Sequence, residues 1–393
     1  MRHEIFNRSH VWVAVIAAVT SATLLMCARG ILGFISFLNP VERALSSFYI
    51  TDLFYEADRD VVSLDTSAVI TIVDMSEVYE RGDLAGIIKA IDSLQPAIIG
   101  VDIRFDGLRD DTKGNDLLTD AACHTVTPTI WACELENWSD EENQFADIRH
   151  SFFVDQGATV EEGFTNVQSD MNGGAVRSYG NWRKAQGSVC YSLPARLAVG
   201  MTGDSTVFRE VYSTPIRYSS VHFPVVRYDS LADNADLIRN HIVLLGAMRD
   251  KRDMHFTPIG FIPGVTIIGL TVNTILNDSA PRELSYGLQI LLVLFLLWLA
   301  DVLYALFRKL MSMNRTLGMI AGKGMLDGIF TLSYMALVIV FADYMLFRLT
   351  NFYFDTAFVI MSIFLLDTAR AIYSTVADRM KIRNKKTELS EQI

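Results

Sequence analysis

The chain is 393 residues long and 51% hydrophobic, with 45 acidic and 34 basic residues and a formal net charge of −11. The charge is segregated, because residues 42–283 hold 36 of the acidic but only 20 of the basic side chains. This acidic middle argues against nucleic acid as a partner, since phosphate contacts need lysine and arginine. The apolar ends and the charged middle predict one water-soluble domain attached to membrane-embedded segments.

Four apolar stretches predict membrane-spanning helices. The first, residues 11–38, follows a short basic head at residues 1–10 and is interpreted as an uncleaved anchor, with a cleaved signal peptide as the alternative. The other three, residues 286–307, 328–347 and 352–373, are each close to the ~20 residues that cross a bilayer. The chain is therefore predicted to be a multi-pass membrane protein in contact with lipid.

Basic residues predict the orientation of these spans. They concentrate in the N-terminal head, in the connecting segment 308–327 and in the tail 374–393, which the positive-inside rule assigns to the cytoplasm. The acidic domain, residues 48–283, then lies on the external side of the membrane. The polar tail is interpreted either as a docking helix for another protein or as a segment lying on anionic lipid.

Several carboxylates lie in or beside the last three predicted spans. Charged groups inside a membrane are costly and usually face protein or water. One interpretation is a pathway for ions or protons, and the other is a set of contacts that join neighbouring helices. The residues are Asp301, Asp343, Asp355 and Asp367, with Asp327 near the start of a helix.

The external segment has the alternation of strand and helix that is typical of a parallel sheet. Residues 68–74 predict a buried strand, 84–94 a helix and 97–105 a second strand, which together form a βαβ unit. Residues 242–246 predict the last buried strand, and Pro263-Gly264 predicts the start of an apolar helix. The expected fold is α/β, with a mixed, mostly parallel sheet and flanking helices. Weaker patterns predict helices at 116–123 and 192–199, strands at 125–134, 163–167, 173–182 and 216–218, a loop at 138–144, and no regular structure at 48–64.

Charged residues follow three of the predicted strands, at the end of the strand where an open parallel sheet binds its ligands. Two interpretations of this rim stay open. It is either a site for a cation or a small polar ligand, or an internal network of salt bridges. The rim residues are Asp74, Glu77, Asp102, Arg104, Asp106, Arg249, Asp250 and Asp253.

The sequence lacks recognisable motifs for catalysis and for cofactor binding. His222, His241 and His255 do not have the short spacings of a zinc site. Neither a calcium-binding loop, nor a glycine-rich phosphate loop, nor a nucleophile elbow is present in the sequence. We therefore expect no enzymatic activity, no metal site and no cofactor. An enzyme or an ion-conducting protein is a hypothesis that rests on the acidic residues alone.

Two cysteines of the external domain form a candidate disulfide. An oxidising periplasm permits a bridge between Cys123 and Cys133, and free buried thiols are the equal alternative. Cys190 has no predicted partner, and Cys27 lies in the first predicted span.

The external segments, taken in order, resemble the type 2 CHASE domain, an extracellular sensory module associated with bacterial cyclases and histidine kinases. This resemblance implies a sensory domain with one anchor before it and three spans after it. It also implies that the final strand, charged turn and helix are the most specific part of the domain. The matching segments are residues 70–79, 94–107, 170–180, 192–198, 216–233 and 238–277.

The chain departs from that family pattern at two places. The family often has Trp-Pro-Arg where this chain has Glu80-Arg81-Gly82-Asp83, and the histidine of the family's last helix is Ile268 here. The tail is too short to fold as an effector domain. We therefore expect a stand-alone sensor, with a small molecule or an ion as ligand, that acts through a separate protein and is a candidate homodimer. The alternative is a non-sensing structural or scaffold subunit of an envelope complex.

Overall fold

The computed structural model describes residues 8–34, 49–61, 65–167, 174–205, 212–218, 221–313, 325–354 and 356–391. The chain forms two compact units. One is Thr51–Pro281, which corresponds to the predicted external domain. The other combines Met1–Ile50 with Arg282–Ile393.

The described strands are mostly short, and most of them belong to the domain. In chain order they are β1 (Asp65–Thr66), β2 (Ile70–Asp74), β3 (Ile98–Val101), β4 (Thr129–Ser139), β5 (Gln144–Arg149), β6 (Glu161–Phe164), β7 (Ser178–Gly180), β8 (Trp182–Ala185), β9 (Ser188–Tyr191), β10 (Ser213–Pro215), β11 (Val221–His222), β12 (Val225–Arg227), β13 (Ile242–Gly246), β14 (Met254–Thr257), β15 (Gly260–Pro263), β16 (Arg282–Glu283) and β17 (Phe352–Tyr353).

The described helices are divided between the two units. In chain order they are α1 (Arg8–Phe34), α2 (Ile50–Val61), α3 (Arg81–Ser93), α4 (Thr112–His124), α5 (Phe152–Asp155), α6 (Leu193–Thr202), α7 (Gly264–Leu276), α8 (Tyr286–Met313), α9 (Met325–Thr350), α10 (Thr356–Phe364) and α11 (Leu366–Glu391).

A mostly parallel sheet forms the centre of the domain, as the sequence predicted. Its parallel part has the order β12-β2-β13-β3-β4, and β6 also pairs with β4 in parallel. The far half of β4 pairs antiparallel with β5, which leads to β8 and β9. Strands β2 and β13 are buried along their whole length, because helices cover both faces of a parallel sheet.

Different helices pack on the two faces of the sheet. Helices α3 and α4 pack on one face, over a core that includes Val73, Val101, Leu245 and Trp131. Helices α6 and α7 pack on the other face, where Gly100 allows close approach, since a Cβ there would be 2.8 Å from Leu197. Helix α7 begins at the predicted position, directly after Pro263.

Several elements of the domain differ from the predictions. Residues 50–61 form helix α2, and residues 216–218 lie after strand β10 rather than in a strand. The loop predicted at 138–144 is largely confirmed, since residues 140–143 form the turn between β4 and β5. Helix α2 depends on contacts that are remote in sequence. The Tyr55 hydroxyl donates to the Ile216 carbonyl over 3.2 Å, and Arg177 pairs with Asp52 at 2.5 Å. A local sequence pattern does not contain such contacts.

The second unit contains long helices with an apolar core. Helix α1 covers residues 11–34 of the first predicted span, whose residues 35–38 lie outside the described residues, and helices α8 and α9 cover the second and third spans. The fourth predicted span, residues 352–373, is interrupted, because it contains β17, all of α10 and the start of α11. Helix α11 continues to Glu391, so most of the predicted polar tail is helical.

The described residues do not by themselves establish a membrane-spanning helix. No single helix among them has both the length and the apolar composition that crossing a bilayer requires. A pair bent by 56°, Phe358–Phe364 with Thr368–Met380, meets both criteria when its parts are taken together.

Among the carboxylates of the predicted spans, Asp343 has a structural role. It is fully buried and accepts hydrogen bonds from the Phe354 amide (3.1 Å) and the Thr356 hydroxyl (2.5 Å). It therefore joins α9 to the start of α10, in agreement with the interpretation as a contact between helices. The side chains of Asp301, Asp327, Asp355 and Asp367 lie outside the described residues.

Candidate functional site at the C-terminal edge of the sheet

The predicted rim residues do lie at the C-terminal edge of the parallel strands, but they form separate groups. Two groups are networks of ion pairs. The third has two carboxylates close to each other without an arginine or a lysine between them. The first two groups have the ion pairs of the salt-bridge interpretation, and for the third group the ligand-site interpretation stays a prediction.

The first group surrounds Asp74 and ties the end of β2 to the end of β13. The Asp74 carboxylate accepts from the Ser76 amide over 2.9 Å and from the Ser76 hydroxyl. The amides of Met248 and Arg249 donate to the Ser76 hydroxyl oxygen over 2.9 and 3.0 Å. The Arg249 guanidinium lies 3.1 Å from both Asp74 and Glu77.

The electrostatics of Asp74 follow from these contacts. Burial alone would raise its pKa, but the hydrogen bonds from Ser76 and Met248 and the charge of Arg249 hold the pKa below its ordinary value. Asp74 is therefore a charged and fully partnered carboxylate. Its contacts are those of a structural ion pair.

The second group is an exposed network around Arg104. This guanidinium pairs with Asp106 and with Glu134, the latter at 3.3 Å. Arg149 pairs with Asp106 at 3.4 Å and with Glu136 at 3.0 Å. Exposed ion pairs of this kind each contribute little to stability, about 0–1 kcal/mol. For Arg104 and Asp106 the structure supports the salt-bridge interpretation.

A short turn after β13 positions Asp253. The turn is a 3-10 helix, Lys251–Asp253, and Asp250 caps it by accepting from the Arg252 amide over 2.9 Å. The Asp253 carboxylate lies over the first residue of α7, because a Cβ on Gly264 would be 2.7 Å from its Oδ1. The Nε2 atom of His255 is 3.4 Å from the same oxygen.

The topology of the sheet brings Asp102 to the same place. Asp102 follows β3, and its amide donates to the Leu245 carbonyl over 2.8 Å, which places it beside Gly246. The first turn of α7 lies over Gly246, where a Cβ would be 2.7 Å from the Cβ of Val265. Asp102 and Asp253 therefore approach the start of α7 from two sides.

Tyr179 is grouped with these residues because the charges of Asp102 and Asp253 act on its hydroxyl, and we call the four residues Asp102, Tyr179, Asp253 and His255 the Asp102–Asp253 site. A hydrogen bond of 2.8 Å from the Val176 amide to the Phe256 carbonyl holds the segment before β7 against β14. The Tyr179 side chain is completely buried, and among the described residues its hydroxyl has no hydrogen-bond partner.

The charges of the Asp102–Asp253 site are not balanced by a neighbouring arginine or lysine. Within the described part of the chain, the partly buried Asp102 carboxylate makes no hydrogen bond and no ion pair. Burial, and secondly the charge of Asp253, raise the pKa of Asp102 well above its ordinary value. Burial, followed by the charges of Asp102 and Asp253, likewise raises the pKa of Tyr179. These groups suit a ligand that supplies positive charge and hydrogen-bond donors.

A cavity of about 470 Å³ lies beside Glu77, on the side of α3. It is within the size range of sites for small molecules. Three of its residues, Gly82, Gly86 and Ala90, are spaced four apart on α3. The full lining is Glu77, Val78, Gly82, Asp83, Gly86, Ile87, Ala90, Tyr228 and Leu231.

The candidate disulfide between Cys123 and Cys133 is not formed in the structure, which has the alternative of free thiols. Both are free thiols, as is Cys190; Cys123 is exposed on α4, and Cys133 is buried in β4. Burial and the nearby Glu162 and Cys190 raise the pKa of the Cys133 thiol to about 12. Cys133 is therefore enclosed in the sheet, whereas Cys123 faces solvent.

Sequence patterns did not identify every residue of the site. Tyr179 lies in one of the segments that carried the family resemblance, but a single tyrosine in a short strand has no distinctive pattern. His255 has no short spacing to the other histidines, so its spacing did not predict a site. No group of three or more His, Cys, Asp or Glu side chains suitable for a metal ion occurs within the described ranges.

Comparison with known proteins identifies the family. The CHASE2 domain family model matches residues 22–303, which is most of the chain. No curated protein and no solved structure matches the chain. The CHASE2 domain is an extracellular sensory domain associated with signal transduction. The resemblance predicted from the sequence is confirmed, and the chain belongs to the CHASE2 domain family.

Proposed function

We propose that this chain is a membrane-anchored sensor of a bacterial inner membrane. Its CHASE2 domain binds a small molecule or an ion in the periplasm, and its membrane helices pass the bound state to a separate protein. The observation that carries the proposal is the Asp102–Asp253 site, where two carboxylates without an arginine or lysine partner approach the start of α7 and the buried Tyr179 hydroxyl has no partner among the described residues.

Helix α7 is a suitable element for transmitting the bound state. Ten of its thirteen residues are buried, so it is packed along most of its length. It is also the last helix of its unit, which ends at Pro281 before the chain continues into α8. Because packed elements move as units, a shift at the first turn of α7 would displace the whole helix. A ligand drives such a shift only by binding one arrangement more tightly than another.

The membrane topology in this proposal has four spans, one before the domain and three after it. Apolar composition and length support spans at 11–38, 286–307, 328–347 and 352–373. The basic residues between the spans and in α11 support a cytoplasmic location for those segments. In this arrangement, α11 supplies the cytoplasmic surface on which a second copy of the chain or another signalling protein docks.

Cysteine labelling tests this topology. A membrane-impermeant maleimide added to intact spheroplasts is expected to label Cys123, because its thiol is exposed and its domain faces outward. Cys133 is expected to stay unlabelled, since it is buried and its thiolate is scarce at neutral pH. Mass spectrometry of the peptides measures the extent of labelling at Cys123 and at Cys133. The variant Cys123→Ser is the control for background labelling.

Two labelling results would contradict the expectation. If Cys123 is labelled only after the spheroplasts are lysed, the domain faces the cytoplasm and the proposed topology is wrong. If Cys123 is labelled only after reduction, it is held in a disulfide, which contradicts the free thiols of the structure.

A structural subunit of an envelope complex is the second candidate function, and Ile268 favours it. This residue is 1% exposed on α7, at the position where the family pattern has a histidine. A polar residue of the family pattern is therefore replaced by a buried aliphatic side chain. A structural subunit would co-purify with a fixed protein partner, and small molecules would leave its unfolding unchanged.

A further inference from the structure

We propose that the ligand of the Asp102–Asp253 site carries a primary ammonium group, held by the two carboxylates and the Tyr179 hydroxyl. This inference rests on the proposed function, because it names the chemical class of the ligand for the same sensory site.

The charge of this site differs from that of the rest of the rim. Arg249 pairs with Asp74 and Glu77, and Arg104 and Arg149 pair with the carboxylates of the exposed network. Among the described residues, no arginine or lysine lies within ion-pair distance of Asp102 or Asp253. Asp102 is partly buried without a partner, and Asp253 is 39% exposed with His255 as its ion-pair neighbour among the described residues, so a cation from solvent is the expected further partner of these carboxylates.

The Tyr179 hydroxyl provides independent evidence for a ligand. Buried polar groups in folded proteins nearly always have a hydrogen-bond partner, and each exception needs an explanation. This hydroxyl is completely enclosed, and the two carboxylate charges that act on it most strongly are those of Asp102 and Asp253. A donor located between the three groups would satisfy all of them.

The number of acceptors favours an ammonium group over a metal ion. A primary ammonium has three N–H donors, and the site offers the carboxylates of Asp102 and Asp253 and the oxygen of Tyr179. Ca²⁺ takes six to eight oxygen ligands, which is more than these three side chains supply. The N-terminal end of α7 carries a partial positive charge that would repel a bound cation. The Asp253 carboxylate lies over this end and offsets the repulsion.

The test is ligand-dependent thermal unfolding of the full-length protein in detergent. The probes are methylammonium and putrescine, with tetramethylammonium as a cation that has no N–H donor, and Ca²⁺ and Mg²⁺ as metal probes. The primary ammonium compounds are expected to raise the unfolding midpoint in a saturable manner. Tetramethylammonium and the metals are expected to leave the midpoint unchanged.

Matched variants locate the binding. Asp102→Asn and Asp253→Asn are each expected to weaken ammonium binding about 10- to 100-fold, because each removes a charged hydrogen bond. Both remove an unbalanced charge, so both are expected to fold, and unfolding without ligand checks this. Tyr179→Phe is expected to weaken binding about 3- to 10-fold. Asp229→Asn is the control, because this exposed carboxylate at the same sheet edge pairs with Arg227 and is expected to bind ammonium normally.

The pH dependence of binding gives a second readout. Because burial and Asp253 raise the pKa of Asp102, protons compete with the ammonium for this carboxylate. Affinity is therefore expected to increase as the pH rises through that pKa, and Asp102→Asn is expected to flatten the increase. A purely structural role of Asp102 would not produce this pattern.

Three results would overturn the inference. They are a shift with Ca²⁺ or Mg²⁺ but not with the ammonium compounds, no shift with any of these probes, and an ammonium shift that both aspartate variants retain. If another metabolite shifts the midpoint and the aspartate variants abolish that shift, the ammonium inference fails while the proposed sensory function stands. If no compound of any class binds, both fail.

Discussion

Replacing Arg81 by alanine is expected to lower the free energy of unfolding by about 3–5 kcal/mol, because it leaves a cavity and removes the donor from three buried or half-buried acceptors. Arg81 is 2% exposed. Its guanidinium donates to the carbonyls of Asp106 and Gly107 over 2.9 and 2.7 Å and to Asn115 over 2.5 Å. It also lies 4.1 Å from the centre of the Phe152 ring. One side chain thereby joins α3, the segment after β3, α4 and α5.

Chemical unfolding of the full-length protein in detergent, followed by tryptophan fluorescence, measures this effect. The control is Arg109→Ala, since Arg109 is exposed and donates one hydrogen bond, over 2.7 Å, to the Tyr79 carbonyl. We expect Arg109→Ala to cost less than about 1 kcal/mol. Equal losses for the two variants would show that Arg81 does not hold these elements together.

Replacing Trp131 by alanine is also expected to cost about 3–5 kcal/mol, through lost packing and the cavity that remains. Trp131 lies at the centre of the sheet in β4 and is 0% exposed. Its ring packs edge-on against Phe153, with 5.0 Å between ring centres, and against Phe105 at 6.1 Å. Its indole N–H has no partner among the described residues, so Trp131→Phe is expected to be the milder substitution.

A second tryptophan of the same strand provides the control. Trp138 is 44% exposed near the outer end of β4, where it packs on Phe145 with 5.0 Å between ring centres. Trp138→Ala is expected to cost about 1 kcal/mol, because most of the cavity it leaves would fill with water. The same unfolding measurement distinguishes the two positions. A loss at Trp131 as small as that at Trp138 would contradict the core assignment.

The central part of the fold was predictable because its signals are local. Strand β13 was predicted with its observed bounds, since five consecutive apolar or small residues suit a strand buried on both faces. Helix α7 was predicted from Pro263-Gly264 and the apolar run that follows. Helix α2 could not be predicted in this way. Its stability comes from partners elsewhere in the chain, such as Ile216 for Tyr55.

The site was only partly predictable for a similar reason. The rule that ligands bind at the C-terminal ends of parallel strands correctly placed the eight rim residues along one edge of the sheet. Which carboxylate receives an arginine depends on side-chain geometry, and a sequence does not contain that geometry. Arg249 reaches Asp74 and Glu77 but leaves Asp102 without a partner. Tyr179 comes from a separate strand, β7, so no local spacing connects it to either aspartate.

The most direct test of the sensory account is a thermal unfolding screen of the full-length protein against a broad panel of small metabolites and ions. The screen compares wild type with the double variant Asp102→Asn/Asp253→Asn. A ligand at 100 times its Kd stabilises a protein by about 2.7 kcal/mol, which shifts the unfolding midpoint by several degrees. The account predicts at least one compound that stabilises wild type in a saturable manner and does not stabilise the double variant. A panel that leaves wild type unchanged, or that stabilises both proteins equally, would contradict it.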